Sequence, residues 1–386
     1  MTTRATIYLD YAAATPCSPA VVEVMLPYLT DQFYNPSSPY APAVQVRRDV
    51  EAARHQAAVA IGARQTDIIF TAGATESINL AFTSAINGHV VTSAIEHQAV
   101  LAAVAQYDST VVEADNKGVV APETIAAAIR PDTRLVSIAL ANNEIGTVQS
   151  LSRIAAVVEA ERQRRLDAGE PNPIWFHSDA SQGAGSIDIS PARLGVDMLT
   201  LSAAKCYGPK QMALLWRASS VELQPIVYGG GQENGLRSGT ENVAGIIGFA
   251  EALRRAEAGR KPEAHRLAEL RDSLQGQLQQ AFPDMIVSGH PKRRLPGHLS
   301  IAFDGIDAER LVFILETKGV YVATGSACAA SSGLRSHVLT AIGMTPSQAD
   351  GSLRISLGAN TSADDVSLAA EHIIAAVKSE IERLAS

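Results

Sequence analysis

Thr200-Leu-Ser-Ala-Ala-Lys205-Cys-Tyr-Gly-Pro-Lys210 completes an apolar, strand-like run that begins at Asp197, and closes it with a Gly-Pro stop. A lysine at the end of a buried strand gains little structurally, because an unpaired ammonium is costly to desolvate. It gains chemically, since a desolvated amine is a nucleophile toward carbonyl compounds. The competing reading is a lysine that snorkels to the surface on its aliphatic stem. The stretch alone leaves both open; the other strand ends decide between them.

Upstream of this stretch the chain alternates regularly. Apolar, β-rich runs occur at Ile68–Thr71, His89–Thr92, Thr110–Val112, Leu135–Ala141, Ile174–Phe176 and Asp197–Leu201. Helical patterns near Glu76–Ile86, Ala99–Gln106, Pro122–Ile129 and Leu151–Ala168 fall between most of them. That order predicts an α/β fold with a large, mainly parallel sheet covered on both faces. Met212–Trp216 reads as a further, antiparallel strand, and Pro19–Leu29 and Val44–Ile61 as leading helices. A helix over Glu241–Ala256 runs to Gly259-Arg260-Lys261-Pro262, read here as a linker. Beyond it, a charged helix (Glu263–Ala281) and shorter strands and helices predict a smaller α+β domain. The expected division is 15–258 for the large domain, with 1–14 and 259–386 forming the small one.

The 386 residues are 46% hydrophobic and carry a net charge of −8 without acidic or basic blocks, so no direct nucleic-acid platform is expected. The N-terminus lacks the apolar core of a signal peptide and no apolar run is long enough to span a bilayer, so no membrane is expected either. Three cysteines, Cys17, Cys206 and Cys328, form no CxxC pair, which predicts no metal site and a reducing, cytoplasmic setting in which a free thiol can act as a reagent.

In open α/β sheets, ligands bind beyond the carboxyl ends of the strands. Those ends carry Ala72-Gly73-Ala74-Thr75-Glu76-Ser77, a small-residue turn opening a helix, whose free N–H groups and Thr75 hydroxyl suit a phosphate or simply a cap. They also carry Glu96-His97, Asn142-Asn143-Glu144-Ile145-Gly146, Asp179-Ala180-Ser181-Gln182, and Ser202 with Lys205. Each has an ordinary structural explanation; Asp179, for example, is a natural helix N-cap. Together they supply what pyridoxal 5'-phosphate (PLP) requires: an anion for the pyridine nitrogen, a donor to the ring oxygen, a stacking partner, a phosphate cup and a Schiff-base lysine.

These motifs, joined in order by Tyr8-Leu9-Asp10-Tyr11, Asn35-Pro36-Ser37-Ser38, Tyr207-Gly-Pro-Lys210, Gly229-Gly-Gly-Gln232, Arg237-Ser-Gly-Thr-Glu-Asn242, Gly325-Ser-Ala-Cys328 and Leu353-Arg-Ile-Ser-Leu-Gly358, cover nearly the whole chain. The sequence resembles the cysteine desulfurases of the NifS/IscS group, within the class V aminotransferase (fold type I) superfamily of PLP-dependent transferases. The resemblance implies a homodimer that takes sulfur from L-cysteine, releases L-alanine and passes the sulfur to an acceptor protein. It further implies that Lys205 holds PLP and shuttles a proton at the substrate α carbon, and that Asp179 pairs with the pyridinium nitrogen. Gln182 would donate to the ring oxygen, and His97 would stack on the ring and handle the thiol proton. Ala74, Thr75 and Ser202 would cradle the phosphate, with Thr240 reaching in from the partner subunit. Asn143 and Arg354 would grip the substrate carboxylate, a task suited to a guanidinium fork. Cys328, in a run of small residues that predicts an exposed loop, would receive the sulfur as a persulfide. Selenocysteine lyase or another class V activity is the alternative; a degenerate, non-enzymatic assembly partner is the third.

Two departures stand out. The family usually places His immediately before the lysine, donating to the cofactor phosphate, and this chain has Ala204. Loss of one charge-assisted hydrogen bond costs about 1.5–3 kcal/mol, or roughly 10- to 100-fold in affinity. The usual Gly-rich continuation after Gly-Pro-Lys is also replaced, by Gln211-Met212-Ala213. The sequence ends at Ser386, where several IscS-type enzymes carry a tail that docks an iron–sulfur scaffold. The long Cys328 loop, unlike the short one of SufS-type relatives, suggests direct hand-off to varied acceptors: such a scaffold, a tRNA-thiolating enzyme or a DNA-sulfur-modification system.

Overall fold

The structure, a computed structural model, describes residues 6–325 and 335–385. Cys328 lies outside the described residues. Near the N-terminus Ile7–Tyr8 (β1) precedes the strands of the large sheet: Ile68–Thr71 (β2), His89–Ser93 (β3), Ser109–Val112 (β4), Thr133–Ser137 (β5), Trp175–Asp179 (β6), Met198–Ser202 (β7) and Ala213–Arg217 (β8). They stand in the order β2-β8-β7-β6-β5-β3-β4. Only β8 runs against its neighbours, as the sequence predicts. Both faces are covered, so successive residues of one strand enter different cores. Val90 packs under the helices Ala74–Phe82 and Gln98–Val104, whereas Val91 joins the opposite cluster with Phe176, Leu199 and Phe249. Burial on both faces is why these strands read as unbroken apolar runs.

Two buried histidines tie the parallel strands together sideways. His89 on β3 meets the hydroxyls of Thr133 on β5 and Thr110 on β4, both at 2.8 Å. His177 on β6 meets Ser137 on β5 at 2.9 Å and Thr200 on β7 at 3.0 Å. Burial pushes the His177 pKa down to about 4, so a neutral ring spans three strands two residues below Asp179.

The linker expected at 259–262 is instead helix. Val243–Ala281 is one helix of 39 residues with Pro262 inside it, about 58 Å long at the standard rise per residue. Proline removes one backbone hydrogen bond and normally breaks a helix. Packing on both sides of it overrides that preference: Phe249 and Leu253 are buried in the large core, and Leu267, Leu274 and Leu278 in the second. The second core also buries residues of His298–Ala302 (β10), Val320–Tyr321 (β11) and Ser352–Ser356 (β13) and of the helices Ala308–Thr317 and Ala363–Ala385; Val287 of Ile286–Ser288 (β9) packs against it, and Ala323–Thr324 (β12) pairs with β13. Its sheet runs β12-β13-β10-β9, while β1 pairs with β11. Val338, Leu339 and Ile342, expected in the small domain, pack into the large core. No helix among the described residues is long and apolar enough to cross a membrane.

Two buried carboxyl groups lock the loops around the strand ends. Glu96 accepts from the Ser93 hydroxyl at 2.6 Å and from Ala139 N at 3.1 and 3.0 Å. Glu144 accepts from the hydroxyl of Ser336, which also caps the helix His337–Ala341. Desolvation outweighs these donors and raises each pKa from 4.5 to about 7. Between those values the folded chain binds protons that the unfolded chain has released, so stability falls as pH rises through the window. The melting temperature is therefore expected to decline from about pH 5 to about pH 8. E96Q and E144Q, which keep the acceptor oxygen but cannot titrate, should each flatten that slope. A slope unchanged in both variants would refute the assignment.

Candidate active site

Lys205 leaves the end of β7 on a single 3-10 turn, Ala203–Lys205. Its amine does not snorkel. It donates to the carbonyl oxygens of Ala12 at 2.9 Å and Ala13 at 2.6 Å. Gln182 Nε2 shares the Ala12 oxygen at 3.0 Å. The N-terminal segment thus lies across the strand ends. Beyond it, Thr15 is pinned by its own N–H and hydroxyl to the Ala204 carbonyl, both at 3.0 Å, and its hydroxyl accepts from Tyr207 N at 2.8 Å.

One cleft of about 410 Å³ is lined by Ala74, Thr75, His97, Asn143, Asp179, Gln182, Ser202, Ala204, Lys205 and Arg354. All the expected site residues meet there except Cys328, outside the described residues, and Thr240. In its own chain Thr240 is exposed, in a separate hollow beside Phe70, Ala72 and Arg237. A larger cavity, about 500 Å³, opens on the other side of Lys205 and also touches Gln182, Tyr11, Cys17 and His298. It has neither the Asp179 carboxylate nor the helix start described next, so the smaller cleft is the candidate site.

The helix Ala74–Phe82 begins at Gly73, which offers no side-chain cap. A Cβ added to Gly73 would meet no atom within 4 Å. Glu76 accepts from Ala72 N at 2.9 Å and pairs with Arg237 at 3.0 Å, which holds the turn from behind. The first N–H groups of the helix therefore face open space beside the Ser202 and Thr75 side chains, an arrangement that fits a phosphate. Asp179 ends β6; one oxygen accepts from Ser181 N at 3.0 Å, and the carboxylate reaches the cleft as a partner for a protonated ring nitrogen. The donor set therefore fits PLP.

His97 caps the helix Gln98–Val104, its Nδ1 accepting from Ala99 N at 3.0 Å. A backbone N–H can only donate, so the neutral ring carries its proton on Nε2. Burial, reinforced by Lys205 and His337 against the opposing Asp179, lowers its pKa below the ordinary imidazole value. The ring is thus a neutral donor at Nε2. Asn142 is buried and structural: it donates to Ile95 O at 2.8 Å and accepts from Glu144 N and Ile145 N at 2.8 and 3.0 Å. This closed loop presents Asn143 to the cleft. Arg354 comes from β13, between β12 and β10, with its side chain 4% exposed. It donates to Asp10 Oδ1 at 2.7 Å and more weakly to Asn143 O at 3.4 Å.

Sequence reasoning missed five contributors. The Ala12 and Ala13 carbonyls carry no side-chain signal. Glu96 and Glu144 were visible only as polar neighbours of His97 and Asn143. Asp10 stood in the quoted Tyr8–Tyr11 motif, where an acid in an otherwise apolar strand was the available clue. Cys206, which alternation turns inward, is buried with its thiol near Ser202 O at 3.8 Å, and burial raises its pKa to about 12.

A family model for class-V aminotransferases matches residues 7–368. The cysteine desulfurase IscS of Dictyoglomus turgidum is 39% identical over 371 residues, covering 93% of this chain and 91% of that protein. A solved NifS-like protein superposes with a TM-score of 0.89 at 31% identity, covering 97% of this chain and all of the other. SspA, solved in complex with cysteine, gives 0.78 at 33% identity over 91% and 99% of the two chains. With its strand-end lysine, uncapped helix start and Asp179 carboxylate in one cleft, the chain belongs to the class-V aminotransferase family, in the cysteine desulfurase group of IscS and NifS type.

Proposed function

We propose that this protein is a PLP-dependent cysteine desulfurase that converts L-cysteine to L-alanine and moves the sulfur to Cys328 and then to an acceptor protein. The observation that carries the reading is the meeting of Lys205, Asp179, His97 and Arg354 in one cleft at the uncapped start of the Ala74–Phe82 helix. The relatives named cysteine desulfurase, and SspA solved with cysteine, support the same substrate.

Lys205 would hold the cofactor, Asp179 its ring nitrogen, Gln182 its ring oxygen, and Ala74, Thr75 and Ser202 its phosphate. Bound PLP supplies an electron-withdrawing ring that acidifies the substrate α carbon. Lys205 Nζ moves the proton at that carbon, and the two carbonyls that now hold the amine provide its resting place. Arg354 and Asn143 orient the substrate by its carboxylate. His97, neutral with its proton on Nε2, donates toward the substrate sulfur and does not compete as a cation. The Cys328 thiolate attacks that sulfur, the carbon–sulfur bond breaks, and Cys328 keeps the sulfur as a persulfide while the carbon skeleton leaves as alanine. Cys328 is three residues beyond Gly325, whose N–H donates to Ser352 O at 3.0 Å, two residues from Arg354. A homodimer in which Thr240 completes the partner's phosphate site belongs to the same reading.

Mass spectrometry of the protein incubated with PLP and L-cysteine should show one added sulfur on Cys328. C328A should lose both the added sulfur and cysteine-dependent sulfide release. Alanine production unaffected in C328A would indicate another class V activity.

Position 204 governs cofactor retention. A204H should tighten PLP binding by roughly 10- to 100-fold, read by absorbance during dialysis. Full PLP retention by the wild type after extensive dialysis would refute this.

A further inference from the structure

We infer that Asp10 is a positioning residue for substrate: it fixes the Arg354 guanidinium so that its free edge receives the cysteine carboxylate. The inference rests on the reading of Arg354 as the carboxylate ligand.

A guanidinium buried on an interior strand needs an anion, because an uncompensated charge there is strongly destabilising. The anion beside Arg354 is Asp10, whose Oδ1 takes an Nη2 hydrogen at 2.7 Å. Nε is buried without a partner, and Nη1 has only the long contact to Asn143 O. Asp10 therefore holds one edge of the fork and leaves the Nη1 edge, on the Asn143 side, for a carboxylate.

Asp10 is itself held by backbone on both sides. Ser356 N donates to Leu9 O at 2.8 Å, and Ala12 N donates to the Ser356 hydroxyl at 2.8 Å. The Tyr8 hydroxyl donates to Asp10 O at 2.9 Å. Asp10 and Arg354 are thus set on adjacent backbones that cannot slide independently, since Asp10 bridges to Ser356, two residues beyond Arg354. An arginine fixed in this way loses less side-chain freedom when it binds a carboxylate, and that difference appears as affinity.

The test compares two ligands of the PLP-loaded enzyme: L-alanine, and ethylamine, which is alanine without its carboxylate. D10A and D10E should weaken L-alanine binding, followed by cofactor absorbance, by about tenfold or more, and raise KM for L-cysteine in step. Ethylamine binding and kcat should stay within about threefold. A merely structural role for Asp10 would weaken both ligands alike, and that result overturns the proposal. So does unchanged L-alanine binding in D10A and D10E while R354A weakens it. If R354A leaves L-alanine binding unchanged, the assignment of Arg354 falls as well. D10E retains a carboxylate to balance the buried charge, so the comparison holds if D10A fails to fold.

Discussion

The segment from Tyr8 to Thr15 is the constraint on which the site depends. Its Ala12 and Ala13 carbonyls hold the Lys205 amine, and its Asp10 carboxylate holds the Arg354 guanidinium. Thr15 pins it to the Ala204 carbonyl of the large domain, and Ser356 pins it to the small sheet. Two basic side chains, to which the proposed function gives different ends of one substrate, are thus indexed to a single short stretch of backbone. Desolvated cations need acceptors at fixed positions. The Ala12 and Ala13 carbonyls are neutral acceptors for the amine, whereas the arginine has a carboxylate, with which a hydrogen bond is charge-assisted on both sides.

Beneath that segment the floor is rigid for a separate reason. A parallel sheet has evenly spaced but slanted ladder bonds, and here the His89 and His177 rings add side-chain links across five of its strands. Glu96 then fixes the end of β3 to Ala139, and Asn142 closes the next loop on Ile95. Asp179, His97 and Asn143 all project from this braced rim. Preorganised groups of this kind need not reorganise when charge develops between them.

Much of this was legible in the chain because it follows from periodicity and position. Buried parallel strands announce themselves as apolar runs, and the rule that ligands sit beyond their carboxyl ends turned those runs into a site. The resemblance then supplied roles for Lys205, Asp179 and Arg354 that residue types alone left open. What stayed hidden has a physical cause in each case. Backbone carbonyls have no residue signature, so the seat of Lys205 could not be read. Gly259 and Pro262 looked like punctuation because local propensity cannot see Phe249, Leu253, Leu267 and Leu274 packing on either side of them. Val338 and Leu339 were placed with their sequence neighbours, although the core they join is built, Ile342 aside, from buried residues no later in the chain than Leu253.

The two departures from the family's pattern separate a residue's backbone task from its side-chain task. At position 204 the carbonyl still receives both Thr15 donors, so the N-terminal segment keeps its anchor while the side chain offers a cofactor phosphate nothing. At position 211 the reverse holds. Gln211 sits at a φ of 57°, in the left-handed region that favours glycine, so the chain keeps the turn and bears the strain of a side chain there. The neighbouring Tyr207, at 64°, is held by Thr15 and bonds Ala359 N through its hydroxyl at 2.6 Å. The turn after Lys205 is therefore enforced from outside, by the N-terminal segment and the small domain, more than by its own sequence. That outside support holds Lys205 at the end of β7 with Ala204 before it and the strained Gln211 after it.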